Sequence, residues 1–220
     1  MRHQIQTLIR LMRRVGTVPT LLFLADSLLV RLCRARILLV LLRGPEEVLR
    51  EPIDLPAGFT TAVRSAEEMK TVGGFCAATL SDSFLSEASS RGDRCLVILD
   101  RGEVVNFQWV SSGLTLAYDD IWIGFGPRYL YGYNSLTAPS HRGRGLNRSA
   151  VAIAGRLVAV PQGKGMSGYI NASNTASLLS QWNPATQAFG FALVWPRAHK
   201  RTWVLATRVC RGAGLTVTRR

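Results

Sequence analysis

The sequence has few of the residues that usually bind metals. It contains four cysteines and three histidines in 220 residues; no two cysteines form a CxxC unit, and the histidines do not cluster with them. This spacing argues against a zinc site or another metal site. We expect free, mostly buried thiols in a protein of the reducing cytoplasm.

Long uncharged apolar segments are also missing, although 47% of the residues are hydrophobic. A membrane-spanning helix needs about 20 consecutive apolar residues, whereas arginines and Asp26 interrupt the apolar stretches of the first 50 residues. No small-residue cleavage site follows them, which argues against a signal peptide. The composition instead predicts a globular protein with a substantial core.

Acidic residues are scarce relative to basic ones. The chain has 14 acidic and 27 basic side chains, which gives a formal net charge of +13. Such a surface attracts polyanions, for example nucleic acid, anionic lipid, the phosphates of CoA or an acidic carrier protein. No long basic run with interleaved aromatic residues is present, which argues against nucleic-acid binding.

The first 50 residues differ in character from the rest. Their basic, apolar pattern predicts two helices, at residues 4–14 and 19–42, and a proline-containing linker at residues 44–56. We therefore divide the chain into an N-terminal helical extension, residues 1–50, and a main domain, residues 51–220. The extension either lies in the plane of a membrane surface, with arginines contacting anionic lipid, or packs on the main domain or a second subunit.

The main domain shows alternating helix and strand signals. Ser65 followed by Glu68 predicts a capping box that opens a helix to about residue 80. Asp100, Arg101 and Gly102 predict a turn that joins two strands into a hairpin. Strands are predicted at residues 59–63, 94–99, 103–111, 129–136, 167–170, 191–195 and 202–207, and further helices at 146–160 and 174–188.

The segment LTAPSHRGRGLNRSAV, residues 136–151, carries the clearest functional signal. A predicted strand ends at Pro139, a turn rich in Gly and Arg follows, and a helix begins at Leu146. The first amides of a helix lack internal partners and carry partial positive charge. Glycine lets this backbone approach a pyrophosphate closely, and arginine adds charge-assisted hydrogen bonds.

Residues 142–147, RGRGLN, resemble the pyrophosphate loop of the GCN5-related N-acetyltransferases (the GNAT superfamily), which is usually written Q/R-x-x-G-x-G/A. Arg142 and Gly145 fill the first and fourth positions, and Asn147 stands where Gly or Ala is usual. LTAP at 136–139, GYI at 168–170, NTAS at 174–177 and GF at 190–191 resemble further elements of this family in the same order. The resemblance implies an α+β fold with a mixed, mostly antiparallel central sheet flanked by helices.

The resemblance also implies a reaction. It implies transfer of an acyl group, acetyl or longer, from a CoA thioester to a small-molecule amine, with acyl-CoA as co-substrate and no metal. Strand residues would offer free backbone groups to the thioester, since developing oxyanion charge needs a donor. The residues that the resemblance places at the cofactor are Leu136, Thr137, Ala138, Arg142, Gly143, Arg144, Gly145, Leu146, Asn147 and Arg148.

The catalytic groups are less clearly marked. Asn174 matches an asparagine near the pantetheine arm and the amine, but the tyrosine that many family members carry seven residues later is Gln181 here. Tyr129, Tyr131 and Tyr133 alternate along one strand and share a face, which either lines the acceptor cleft or fills the core. We take Tyr133 as the candidate acid, while Asp119 and Asp120 either cap a strand or act as base.

Three functional hypotheses follow from the sequence. The first is a cytoplasmic GNAT-type N-acyltransferase, with a long-chain N-acyl amino acid synthase that uses an acyl carrier protein as its variant. The second is a non-enzymatic, degenerate GNAT module that contacts a membrane, at the inner face, or a partner through residues 1–50. The third, a nucleic-acid binder, is suggested by charge alone and predicts strongly salt-dependent retention on DNA or RNA.

Overall fold

The fold is a mixed α+β architecture built on one large sheet, as the sequence predicted. The computed structural model describes residues 2–182, 188–196 and 202–219. The strands of the large sheet lie in the order β10-β9-β1-β8-β7-β4-β3-β2. They are β1 (Arg36–Arg43), β2 (Phe59–Ser65), β3 (Arg94–Asp100), β4 (Glu103–Ser111), β7 (Tyr129–Thr137), β8 (Gly165–Asn171), β9 (Ala188–Pro196) and β10 (Thr202–Ala206).

A second sheet of three strands, β11-β6-β5, packs beside the first. Its strands are β5 (Thr115–Tyr118), β6 (Ile121–Gly124) and β11 (Thr216–Arg219). They are short, and the sequence analysis did not predict β5, β6 or β11 as a sheet. The helices are α1 (Arg2–Val15), α2 (Thr17–Cys33), α3 (Pro45–Arg50), α4 (Ala66–Lys70), α5 (Asp82–Ser90), α6 (Leu146–Ala154), α7 (Thr175–Gln181) and α8 (Arg208–Gly212).

The N-terminal segment departs most from the prediction. Two helices form, but the second ends at Cys33, where Arg34 adopts a left-handed conformation with φ 56°. The prediction of a helix to residue 42 was wrong, because the next eight residues form β1, paired on one side with β8 and on the other with β9. Residues 1–50 are therefore not a purely helical extension: they supply an interior strand of the large sheet.

Apolar side chains on both faces explain why β1 lies inside the sheet. Leu38 to Val40 are fully buried, and a continuous apolar run is typical of a strand covered on both faces. On one face, Ile37, Leu39 and Leu41 pack with α1, α2 and α7; on the other, Val40 and Leu42 pack against Cys210 and Ala213. We call these face A and face B of the sheet. Within the described residues, no helix is both long and apolar enough to cross a membrane.

The main helices occupy both faces. Helix α6 packs on face A against Leu96, Ile98 and Leu130, while α4 and α5 cover face B over Phe107 and Trp109. The capping box at Ser65 and Glu68 is confirmed, although α4 ends at Lys70 rather than near residue 80. The helix predicted at 174–188 ends at Gln181, and residue 188 begins β9; residues 183–187 lie outside the described part of the chain.

Candidate active site

The Gly/Arg turn connects β7 to α6 at the surface, as the sequence predicted. After a 3-10 turn at Pro139–His141, residues 142–145 are exposed, and α6 begins at Leu146. Gly143 and Gly145 have φ values of 79° and 75°, a conformation that favours glycine. The carbonyl of Gly145 accepts the amides of Arg148 and Ser149, so the amides before them precede the first helical hydrogen bonds and are available to an anion.

The three arginines of this segment differ in their solvent exposure and in the groups that they contact. Arg142 and Arg144 are exposed, and Arg142 Nε donates to the carbonyl oxygen of Thr137 at 3.2 Å. Arg148 instead lies 3.0 Å, Nε to Oε1, from the buried carboxylate of Glu51. Arg142 and Arg144 can therefore turn to a phosphate, whereas Arg148 is tied to the segment that follows α3.

Next to this turn the large sheet opens. Strands β7 and β8 are the parallel neighbours of the sheet, and their register contains only Tyr129–Gly165, Leu130–Met166 and Tyr131–Ser167. Both strands continue beyond these pairs, β7 to Thr137 and β8 to Asn171. The backbone edges of the two strands therefore face a gap from residue 132 onward.

The backbone of β7 presents particular amides to this gap. The amide of Ala138 donates to the carbonyl of Val105 at 2.8 Å, and in an antiparallel ladder alternate residues point to the same neighbour. The amides of Leu136 and Ala138 thus point to β4, while those of Ser135 and Thr137 point to the gap. The amides that face the gap are thus those of Ser135 and Thr137, while the placement of Leu136, Thr137 and Ala138 at the cofactor stays a prediction.

Two chambers flank the gap, one on each face of the sheet. The chamber on face A has a volume of about 150 Å³, and the chamber on face B about 560 Å³. Both are lined by the same residues at the gap: Gly132, Tyr133, Asn134, Tyr169, Ile170 and Ser177. Asn134 is the extra residue of a β-bulge, with φ 42°, and this bulge locally bends β7 at the opening. We call the gap together with the two chambers that share its residues the passage.

Asn147, the residue that departs from the family pattern, lies in the chamber on face A. Its Oδ1 accepts a short hydrogen bond from the Ser135 hydroxyl, and its Nδ2 donates to Ser180 Oγ at 3.4 Å. Asn147 thereby connects β7, α6 and α7 across the side of the chamber next to the Gly/Arg turn. A glycine or alanine at this position would leave that side open.

Tyr133 lies at the gap, but its hydroxyl is already engaged. It donates to Asp93 Oδ2 at 2.5 Å and accepts from Arg91 Nη2 at 3.2 Å. Burial, followed by the hydrogen bond to Asp93, raises the pKa of Tyr133 well above its usual value. Asp93 also binds Arg91 at 2.8 Å and is fully buried. The proton of Tyr133 is thus held by a carboxylate, and the predicted role of Tyr133 as acid stays a prediction.

Tyr169 is a second phenol at the gap, and the sequence analysis did not single it out. It belongs to β8 and lines both chambers. Burial raises its pKa to about 12, and the hydrogen bond with Tyr131 acts in the opposite direction. Tyr169 therefore carries its proton at neutral pH, and it stands where the two chambers meet the gap.

Asn174 and Gln181 have structural contacts that the sequence could only suggest. Asn174 is the N-cap of α7, where Oδ1 accepts the amide of Ser177 at 3.1 Å, and it lines the chamber on face B. Gln181 lines the chamber on face A, and its carbonyl accepts from Arg43 Nη2 at 3.2 Å. Asn174 thus lines a chamber while its side-chain oxygen caps α7, and its predicted place near the pantetheine arm and the amine stays a prediction.

Glu87 supplies a carboxylate to the chamber on face B. It lies near the end of α5, it is about half exposed, and its Oε2 is 3.6 Å from Arg91 Nη1. Among the described residues that line this chamber, Glu87 is the one with a carboxylate. Asp120 instead pairs with Arg219. The serine-rich sequence around Glu87 carries no motif, so only the fold identifies this residue.

Metal ligands do not gather in the described part of the chain. Among residues 2–182, 188–196 and 202–219, no group of three His, Cys, Asp or Glu side chains could hold an ion. Three of the four cysteines are buried, and all four are free thiols. The thiols of Cys76 and Cys95 have pKa values raised by burial, that of Cys76 to about 11, which makes them poor nucleophiles.

No protein-family model matches the chain, and no curated protein matches it. Solved structures similar to it include a GCN5-related N-acetyltransferase-like protein from Streptococcus suis 89/1591 (13% identity, TM-score 0.44, 75% of this chain and 66% of that chain). Two others are a putative acetyltransferase of the GNAT family from Novosphingobium aromaticivorans DSM 12444 (16%, 0.44, 85% and 66%) and a GCN5-related N-acetyltransferase from Kribbella flavida (22%, 0.44, 75% and 59%).

The chain spans somewhat less than two thirds of the length of these structures. What the chain does chemically has to be argued from its own turn, gap and chambers.

Proposed function

We propose that this chain is an N-acyltransferase that transfers an acyl group from a CoA thioester to a small-molecule amine. The observation that carries the proposal is the passage, which opens directly beside an exposed turn suited to a pyrophosphate. A thioester on a long flexible arm needs this combination, because its anionic end must be held far from its reacting carbonyl. Two chambers on opposite faces let donor and acceptor enter from different sides.

The donor side is the Gly/Arg turn and the chamber on face A. The amides ahead of Arg148, together with Arg142 and Arg144, would bind the pyrophosphate. The arm would follow β7, where the amides of Ser135 and Thr137 face the gap. One of them would donate to the thioester oxygen as negative charge develops there, which is the usual way in which such a step is stabilised.

The acceptor side is the chamber on face B. Its polar and aromatic lining, with the carboxylate of Glu87, suits a cationic amine in its resting protonated form. Glu87 would take a proton from the amine, directly or through water, and the nitrogen would attack the thioester carbonyl. The C–N bond forms, the C–S bond breaks, and the leaving thiolate takes a proton, for which Tyr169 is better placed than Tyr133. The nitrogen then loses its second proton, through water, to the phenolate of Tyr169, which restores the phenol.

A thermal-shift and turnover experiment tests this proposal. The unfolding temperature is measured with acetyl-CoA, longer acyl-CoAs and CoA, and free thiol release is followed with a panel of amines. Saturation at 100 times the Kd should stabilise the protein by about 2.7 kcal/mol. The double variant Arg142→Gln/Arg144→Gln should lose this shift, whereas Arg94→Gln/Arg101→Gln, which removes two exposed arginines elsewhere, should keep it.

Absence of any shift with any thioester, or equal shifts in the two double variants, would overturn the proposal. The chain-length series also addresses the donor, because a long-chain synthase should be stabilised more by long acyl groups than by acetyl. An acyl carrier protein as donor would show turnover with the loaded carrier and little with the corresponding acyl-CoA.

One observation favours a second candidate, a non-enzymatic module. The hydrogen bonds of Asn147 to Ser135 and Ser180 cross the donor side of the passage. If this bridge keeps the passage closed, wild type should bind no thioester, while Asn147→Gly should gain binding. If wild type binds and turns over, the bridge opens on binding and the module hypothesis fails.

A further inference from the structure

Helix α2 is apolar both on the side that packs against face A of the sheet and on the side that faces away from the sheet. Its inner side chains, among them Phe23 and Leu29, join the apolar cluster on face A. A stripe of outward side chains, spaced by three or four residues, is exposed instead: Val18, Leu21, Leu24, Leu28 and Leu32, the last at 73% exposure. A helix that is hydrophobic all round is normally buried, so this outer stripe points to something that covers it.

The exposed apolar region continues onto the edge of the large sheet. Leu205 and Trp203 of β10, 72% and 61% exposed, stand directly opposite Leu193 and Trp195 of β9. Directly opposite residues share a face, and Leu193 belongs to the cluster that α2 covers. We call the α2 stripe together with Phe191, Trp203 and Leu205 the outer apolar surface. Soluble monomers rarely leave so many large apolar side chains together in water.

The charged residues around the outer apolar surface are almost all positive, which favours an anionic partner. Residues 1–45 contain eight arginines and one acidic residue, Asp26. Asp26 is fully buried and accepts the amide of Ile37, so its charge does not face outward. Arg13, Arg14 and Arg31 are exposed on α1 and α2, and Arg34 is exposed directly after α2. Two copies of such a surface would repel each other, whereas an anionic bilayer would attract it.

We propose that the outer apolar surface docks this protein on an anionic membrane, with α2 lying in the plane of the interface. The leucines and Trp203 enter the boundary between headgroups and acyl chains, and the arginines contact lipid phosphates. This docking goes beyond the acyltransferase proposal and does not depend on it.

Vesicle flotation with the full chain tests the proposal. We expect binding to phosphatidylcholine vesicles that contain about one third phosphatidylglycerol, weakening with salt, and little binding to phosphatidylcholine alone. Leu28→Gln/Leu32→Gln should lower the partition coefficient more than tenfold, since both leucines enter the bilayer boundary. The matched control Leu49→Gln/Leu157→Gln changes two leucines of similar exposure elsewhere and should leave the coefficient unchanged.

Charge is tested in the same assay. Arg14→Gln/Arg31→Gln should weaken binding about 30-fold at low salt, because each arginine near an anionic surface contributes about fivefold. Arg94→Gln/Arg101→Gln, with the same net charge, should weaken it much less. Brominated lipid should quench the tryptophan fluorescence of the wild-type chain, and Trp203→Phe should remove much of that quenching. This measurement does not depend on whether the α2 variants fold.

Several outcomes overturn the proposal. They are absence of binding to the anionic vesicles, equal binding to neutral vesicles, equal losses in the variants and their controls, or absence of quenching. Sedimentation that shows a dimer, dissociated by Leu28→Gln/Leu32→Gln, would assign the surface to a second copy instead.

Discussion

Glu51 offers the most decisive test of how the donor site is supported. Its side chain is 1% exposed, and it lies 3.0 Å from Arg148 and 3.8 Å from Arg43, whose side chain is 7% exposed. Glu51→Gln keeps the volume but removes the buried negative charge that lies between Arg43 and Arg148. Removing one partner of a buried ion pair costs about 3–5 kcal/mol. For a chain of this length each kcal/mol lowers the melting temperature by about 2–4 °C, so we expect a fall of about 10 °C.

Helix α3 supplies a matched control one turn away. Glu46 pairs with Arg50 at 3.0 Å, but both side chains are at least 70% exposed. An exposed i,i+4 pair contributes about 0.5 kcal/mol or less, so Glu46→Gln should hardly change thermal or urea unfolding. Arg43→Met in the Glu51→Gln background should recover part of the loss, because it removes the buried positive charge that Glu51 faces in the wild type. Equal effects of Glu46→Gln and Glu51→Gln, or no recovery, would refute the reasoning.

Two further predictions separate catalysis from stability. Tyr169→Phe should lower kcat about 100-fold. Tyr133→Phe should change kcat less but should cost about 1.5–3 kcal/mol in urea unfolding, since it removes a hydrogen bond to buried Asp93. A larger loss of kcat in Tyr133→Phe than in Tyr169→Phe, measured by thiol release, would make Tyr133 the acid. Gly143→Ala should cost about 1 kcal/mol of stability, because the backbone φ of 79° is unfavourable for alanine although nothing would touch the added Cβ, and it should weaken acyl-CoA binding. Gly165→Ala should cost about 3 kcal/mol or more, because its Cβ would overlap the carbonyl of Arg43. Equal melting temperatures of the two variants would contradict this.

Local signals in the sequence predicted the elements that surround the site. The capping box is an example: Ser65 and Glu68 exchange backbone and side-chain hydrogen bonds within four residues, so no distant contact is needed. The hairpin around Gly102 and the turn before α6 are similar, since their glycines adopt positive φ for local reasons. These features surround the exposed Gly/Arg turn, and that is why its place between β7 and α6 could be predicted from the sequence.

Contacts that join distant segments around the two chambers could not be predicted. Tyr133 meets Asp93 across forty residues, and Glu51, which reads as part of a linker, becomes the buried partner of Arg148. Neither pairing leaves a periodic pattern in the sequence. Even the direction of an amide, as at Ala138, depends on which strand pairs with β7.

The interior position of β1 yields a last prediction about the minimal folded unit. Periodicity alone does not distinguish a short apolar strand from a buried helix, and the division at residue 50 followed from that ambiguity. Strand β1 pairs with β8 over six residues and with β9 over seven, and Leu41 and Arg43 line the chamber on face A. A fragment of residues 51–220 would expose two unpaired strand edges and open this chamber, which favours aggregation.

We therefore expect residues 51–220 expressed alone to lack a cooperative melting transition, and co-expression with residues 1–50 to restore it. A fragment that begins at residue 35 keeps β1 but loses α1 and α2, so it should be less stable than the full chain yet still unfold cooperatively. Circular dichroism melts and urea titrations of the three proteins measure this. A stable, cooperative 51–220 fragment would show that the donor chamber does not need β1, and that the N-terminal segment is a true appendage.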